Sequence, residues 1–578
     1  MKRKIFTSVL AMSTMAIGLV GVSSSLSGAI PNPTILTEET NVGVTFTDNF
    51  NPADSQSTST QMATNSLSYE PLLQFNALKT DQFYPWLATK ETFNSTGQTV
   101  TFTMNPKAVW SDGTPLTAKD VANEFNAIST NPGLNVFGVP QQAQPATSTG
   151  NTVTLTFTGP QFSNREALGG VLIFPVAGDV VATKHPSSVI SSGTVTLAHN
   201  NVVGNGPYLP TSYSGQMLTY TASPHWNITK KPYVTGVNIP YFASNQAATE
   251  ALASHQLDWA GNDIPQIQQT FVNVDPKHNH FYYPPGSTVT LWFNTSHSAP
   301  DGTKDCLADP NFRYAVSMGI NRNQLASIGE TGFALPATSS SGMLPTQVKY
   351  QGKYKNDLPL SGWSSGKVGK FLKAHGYTLD SSNYYQVTSA AAQKATGLGP
   401  NTECTFNIQD PTGYSDYAED EQLISATLQG DHINVNTMGV TTGQWNSNVY
   451  NHNFDAIIHW GAGGSNPYTQ FQNWMDDASN TGGSTNYGQF QSPAALSALV
   501  GLAASAPGTA TFQKYVDKLS NIMSTQVPAA PLFYGPDWDV YSTLRFDNWV
   551  TPKNQYAYPG PGGNNVAYVL TKLTKSKG

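Results

Sequence analysis

At 578 residues the chain exceeds what one hydrophobic core organises, so it divides into two or three compact units. Only 11% of its residues are charged, against about 25% in an ordinary globular chain, and the net charge of -7 comes from 36 acidic and 29 basic residues spread without long runs. No basic patch able to track a phosphate backbone is present, which argues against a nucleic-acid partner, and a surface this poor in charge suits an acidic or exposed medium.

Lys2-Arg3-Lys4, the apolar stretch Ile5 to Val22 and the small residues Ser23 to Ala29 follow the order of a secretory signal, with cleavage after Ala29. An uncleaved anchor is the alternative. No Cys lies near that point, so no lipid-anchored cysteine is expected, and no later segment is long and apolar enough to span a bilayer. Thr34 to Val44 reads as a short strand, Asn49 to Thr64 as a polar loop, and Ser66 to Phe75 as a helix with an apolar face. From Trp86 the pattern turns to β: Val100 to Met104 and Val153 to Phe157 alternate, each preceded by turn residues. Between them, Ser111-Asp112-Gly113 is a turn and Thr117 an N-cap with Asp120 three residues on. Val121, Ala122, Phe125 and Ile128 then form the apolar stripe of a helix.

Four features carry possible chemistry. Gly362-Trp363-Ser364-Ser365-Gly366 fits the nucleophile elbow of serine hydrolases, but the polar, proline-broken segment before it makes a poor elbow strand, and Ser364 or Ser365 is more simply the N-cap of the helix that follows. Asp416, Glu419, Asp420 and Glu421 could be read as a carboxylate pair for glycoside chemistry. They also lie in the first turns of a helix from about Ser415 to Gln429, where the dipole favours acids. The eleven His are scattered, so no metal site or other cofactor is expected. Cys306 and Cys404 suit one disulfide or two buried thiols. Finally, Phe454 to Tyr468 runs from an apolar strand through Trp460 into a loop rich in glycine; it lacks the Lys of a phosphate cradle and reads as a hairpin turn or as the rim of a ligand cleft.

Trp110 to Val121, reading W-S-D-G-x-P-L-T-A-x-D-V, resembles the hallmark segment of the family 5 solute-binding proteins of ABC importers, a group that takes in oligopeptide-, dipeptide- and nickel-binding proteins. Asn205-Gly206-Pro207-Tyr208, Ser223 to Val234, Asp309 to Ile328, Lys367 to Tyr377 and Gln526 to Tyr534 resemble further family segments in the same order. The resemblance implies an α/β, two-lobed periplasmic-binding-protein-like fold of the class II type with an extra inserted β-rich subdomain. It places the signal at 1–29, lobe I at 30–68, 200–287 and 535–578, the insert at 69–199, and lobe II at 288–534. Both cysteines then fall in lobe II, which favours an intralobe disulfide.

The function so implied is that of a non-enzymatic, exported, monomeric protein. It would close on a small-molecule or oligopeptide solute and pass it to a membrane ABC permease complex; a secreted hydrolase and a solute-sensing receptor without transport are the alternatives. Aromatic side chains suit such a cleft. Relatives that bind peptides carry tryptophans at the positions of Trp445 and Trp460, and Tyr534 stands where the chain returns to the hinge. Those relatives read W-x-x-D-x-x-[DE]-P at the loop, the Asp pairing with the peptide's α-amino group. Here Gly463 takes the place of the Asp, beside Gly464, and Asn466 replaces the second acid. Ligands with a free amine should therefore bind poorly unless another acid, such as Glu70 beside Tyr69, supplies the countercharge.

Overall fold

Side-chain alternation builds the smallest sheet directly. Thr99–Met104 and Thr152–Phe157 each bury every second residue, and with Ala88–Phe93 and Gln142–Thr149 they form a four-stranded antiparallel sheet. Its open face is covered by the helix Ala118–Thr130, started by a capping box in which Thr117 and Asp120 exchange hydrogen bonds and buried through Val121, Phe125 and Ile128. In this computed structural model the described residues are 32–578, except 80–81, 297–304, 364, 462, 465 and 477–485. The signal at 1–29 and the elbow serine Ser364 lie outside them.

Thr34–Gly578 forms one compact unit with two larger sheets. The first runs, in spatial order, Asn279–Phe281, Val540–Ser542, Trp259–Ala260, Ile35–Glu39, Gly236–Pro240, Met217–Ala222 and Tyr208–Ser214, with Ile35–Glu39 parallel to both neighbours. The second runs Leu335–Pro336, Ala529–Pro536, Pro285–Phe293, Ala456–Trp460, Thr405–Pro411 and Asn434–Val440, with Thr405–Pro411 parallel to both of its neighbours. Each sheet sits in its own apolar core, the first shared with the four-stranded sheet. Two segments pass from one lobe to the other side by side: Pro285 pairs with Pro536, Asp537 N donates to Pro284 O at 2.8 Å, and Tyr282 N donates to Asp539 O at 2.8 Å.

Three further segments explain their residue choice. Gly206 lies so close to Leu67 O that a Cβ would overlap it, and Asn205 N and Gly206 N both donate to Ser68 O, at 2.9 and 2.8 Å. Arg313, fully enclosed, donates to the carbonyls of Leu307, Ala308, Gln526 and Val527, and Arg322 donates to those of Ser317 and Pro531. The two guanidiniums thus pin the helix Pro310–Gly319 and the turn after it to the start of Ala529–Pro536. Cys306 and Cys404 are joined by a disulfide within the second core.

The helix expected over Ser66 to Phe75 is not formed. Helix covers only Asn65–Ser68, and Leu73–Phe75 is a strand. Pro71 cannot donate within a helix, and Ser68 O is already taken by the Asn205-Gly206 backbone. Ala456–Trp460 is buried on both faces up to His459 rather than alternating, as befits a strand between two others.

Candidate functional site at the seam between the lobes

In open α/β sheets ligands bind beyond the carboxyl ends of parallel strands. Here those ends face one another. Tyr414, just past Thr405–Pro411, donates its hydroxyl to Asn41 Oδ1, just past Ile35–Glu39, at 2.7 Å. Thr442 Oγ1 lies 3.0 Å from where a Cβ on Gly43 would stand and 3.1 Å from that of Gly413. Gly43 has φ +73°, so glycine there serves both the left-handed backbone and the close approach. Asn245 Nδ2 reaches Ser415 Oγ at 3.3 Å, and Thr331 Oγ1 reaches Asp263 Oδ1 at 3.5 Å.

Polar atoms collect along this seam without protein partners. Glu39 Oε1 and Oε2, Thr40 Oγ1 and Asn262 Oδ1 from the first lobe, with Thr442 Oγ1 and Asp416 Oδ1 from the second, are buried and meet no hydrogen-bond partner among the described residues. A buried polar atom left so costs about 1–3 kcal/mol, and such atoms drawn from two facing surfaces are what a polar solute would satisfy. Burial pushes the Glu39 carboxyl up to about 8. None of these seam residues was singled out from the sequence except Asp416, because their convergence depends on strands distant in the chain.

The glycine loop borders the same region. Trp460 ends Ala456–Trp460 half-buried, its ring edge-on to Trp445 at 5.1 Å. Trp445 is wholly enclosed, donates to Ile458 O at 3.1 Å and stacks on His459 at 4.4 Å, so it backs Trp460 rather than facing outward. Burial pushes His459 down to about 3, leaving it neutral. A Cβ on Gly463 would stand 2.9 Å from Gly286 O, so an Asp does not fit there without a backbone shift. Gly464, at φ +128°, accepts from Gln347 Nε2 at 3.1 Å. Asn466 is committed to structure: its Oδ1 accepts from Tyr468 N at 2.9 Å as the N-cap of Pro467–Met475, and its Nδ2 reaches Ser163 O at 3.4 Å. Ser465 lies outside the described residues.

Tyr534 packs with Ala337, Leu344 and Leu358 in a satellite core of the second lobe. Tyr69 lies in the core of the first lobe, edge-on to Phe174 at 6.3 Å. Glu70, offered as a countercharge, is wholly buried beyond the short helix, accepts from Trp226 Nε1 at 2.8 Å, and is pushed up to about 8 by that burial. The acid that does reach the loop is Glu166, on Arg165–Gly169 of the inserted region. Its Oε2 lies 3.4 Å from Thr469 Oγ1 and 3.3 Å from where a Cβ on Gly464 would be. No local pattern marks it. The helix dipole accounts for Asp416 alone among the acids of Ser415–Gly430. Asp420 and Glu421 are buried in the protein, Glu421 accepting from Met438 N at 2.7 Å. Among the described residues no group of three or more His, Cys, Asp or Glu is placed to hold a metal ion, and no helix is long and apolar enough to cross a membrane.

Residues 82–482 match the family model of the bacterial extracellular solute-binding proteins, family 5 middle. A probable ABC transporter-binding protein of Deinococcus radiodurans is 25% identical over 433 residues, 70% of each chain. Among solved structures, the periplasmic oligopeptide-binding protein of an oligopeptide ABC transporter from Thermotoga maritima, with mannohexaose bound, superposes with a TM-score of 0.79 at 20% identity, covering 95% of this chain and 100% of that one. NikZ from Campylobacter jejuni in complex with Ni(L-His) gives 0.73 at 16% identity, covering 94% and 100%. With two lobes meeting at the carboxyl ends of their parallel strands and a family match across most of its length, the chain belongs to the bacterial extracellular solute-binding proteins of family 5.

Proposed function

We propose that this chain is the extracytoplasmic receptor of an ABC importer, taking a polar solute between its lobes and presenting the closed form to a membrane permease without chemical turnover. The observation that carries this reading is the meeting of the two parallel strand sets at Tyr414 and Asn41, with unpartnered buried polar atoms on both sides. A solute bridging the lobes adds contacts that exist only when they meet, so occupancy shifts the population towards closure. The lobes are 30–68, 200–287 and 535–578 for the first, with 69–199 inserted, and 288–534 for the second. The protein acts as a monomer after export, with no nucleic-acid partner.

The solute is a neutral polar molecule or a blocked peptide rather than a peptide with a free amine. Gly463 leaves no room for the acid that pairs with such an amine in relatives, and Asn466 is engaged as a helix cap. The Thermotoga maritima protein holds mannohexaose, a ligand without an amine, which supports this reading. The test is mass spectrometry of what co-purifies from the native host, followed by return of that material to the stripped protein. Recovery of the solute unchanged, with a change in tryptophan fluorescence, supports the reading; steady turnover overturns it.

A further inference from the structure

The seam holds an acidic cluster for which no ion pair is formed among the described residues. Asp263, in the loop after Trp259–Ala260 of the first lobe, is 2% exposed and faces Thr331 across the seam. Glu330 beside that threonine is 1% exposed, and Asp416 and Asp420, one turn apart on Ser415–Gly430, are 5% and 0% exposed. Packing forces the acids together: Gly329 lies so close to Asp420 Oδ1 that a Cβ would overlap it. Glu330 and Asp420 act on each other directly, and Asp416 and Asp263 act on both. No donor among the described residues reaches Asp420 Oδ1 or Oδ2, Glu330 Oε1 or Asp416 Oδ1.

The groups that face the cluster come from every element around it. Glu419 acts on Asp420; Tyr417 lies near Asp416, Glu330 and Asp420; Tyr414 lies near Asp416 and Glu39; Tyr283 lies near Asp263 and Asp539; Trp538 lies beside Asp416. Each group among them that carries charge at neutral pH carries negative charge. Among the described residues these side chains are not placed to share a metal ion. A proton is therefore the species that fits.

We propose that Asp263, Glu330, Asp416 and Asp420 form a proton latch across the cleft, which lets the lobes close over solute when protonated and drives them apart when stripped of protons. The latch rests on the reading of the seam as the solute cleft. Burial first, and the neighbouring acids second, push Asp263 up to about 8 and Glu330 well above the usual carboxyl range, and burial pushes Asp416 up to about 6. Closure is then favoured in an acidic medium and weakened progressively as pH rises from the ordinary carboxyl range towards about 8, in keeping with a chain only 11% charged. Of the four, Asp263 alone comes from the first lobe, so it governs their repulsion between lobes.

The experiment is small-angle X-ray scattering of the full chain from about pH 4.5 to 8.5 at constant salt, a range spanning the ordinary and the raised carboxyl values, with far-UV circular dichroism on the same samples. The expected result is an expansion with unchanged secondary structure, its midpoint moved up by about one pH unit or more in Asp263→Asn, whose amide mimics the protonated acid. Asp416→Asn serves as the second variant and should shift the midpoint in the same direction. Constant dimensions across the range, variants that titrate like the parent, or expansion accompanied by loss of secondary structure would overturn the latch. Constant dimensions together with a recovered, unchanged solute would leave the cleft reading standing without the latch.

Discussion

Tyr414 donates its hydroxyl to Asn41 across the seam at 2.7 Å, tying the carboxyl end of one parallel strand set to that of the other. Tyr414→Phe removes this bond and nothing of the ring that packs edge-on to Trp445 at 5.8 Å. The expected outcome is loss of about 0.5–1.5 kcal/mol from the closed form, seen as a several-fold weaker affinity for the co-purified solute with the melting temperature nearly unchanged.

The two tryptophans lying 5.1 Å apart should separate by role. Trp445→Ala opens a void in a wholly buried site and should cost about 3–5 kcal/mol in denaturant unfolding. Trp460→Ala, at a half-buried strand end, should cost less stability but abolish most of the fluorescence change on solute binding. Equal stability losses would place both in the core.

Gly463→Asp should not restore amine binding. Its Cβ would stand 2.9 Å from Gly286 O, so the substitution is expected to destabilise by about 1–3 kcal/mol. Free trialanine should bind it no better than it binds the parent by calorimetry. Tight trialanine binding by the variant would show that the loop can shift to admit the acid.

Stability should fall as pH rises. Glu38, Glu39 and Glu70 are pushed up to about 8 by burial, Glu38 also by Glu39, whereas in the unfolded chain a Glu titrates near 4.3. With the folded value the higher, their contribution is fully present below about pH 4.3 and is lost progressively as pH climbs to about 8. A melting temperature lower at pH 8 than at pH 5 by on the order of 10 °C is expected in differential scanning calorimetry. A rise over that interval would contradict these carboxyls being protonated in the fold.

The disulfide spans 98 residues. Replacing both cysteines by alanine should lower stability by roughly 2–5 kcal/mol, the range set by closing so long a loop in the unfolded chain. A matched loss in the parent under reducing agent would confirm the bond as its source.

The two lobes were legible only through the resemblance carried by segments such as Trp110 to Val121, whereas single elements were legible because their signals are local. Alternation in Val100 to Met104 and Val153 to Phe157, and the Thr117–Asp120 capping box, each lie within a few residues and reappear in the structure. Ser66 to Phe75 misled because its outcome is decided elsewhere: Asn205 and Gly206 take the Ser68 carbonyl, and Pro71 blocks continuation. The site was legible only in part. Trp460 and Gly463 could be placed at a loop by pattern, whereas Glu39, Asp263, Glu330 and Thr442 acquire meaning only when strands far apart in the chain bring them to one seam. Glu70 shows the converse, an acid beside an aromatic that the fold turns inward to Trp226.

The most direct measurement of solute capture between the lobes is amide hydrogen exchange on protein stripped of its co-purified solute, with and without that solute restored. Added protection should concentrate on 39–43, 413–416, 441–446 and 460–464, drawn from both lobes. Protection confined to one lobe, or none while the solute remains bound, would contradict binding at the seam.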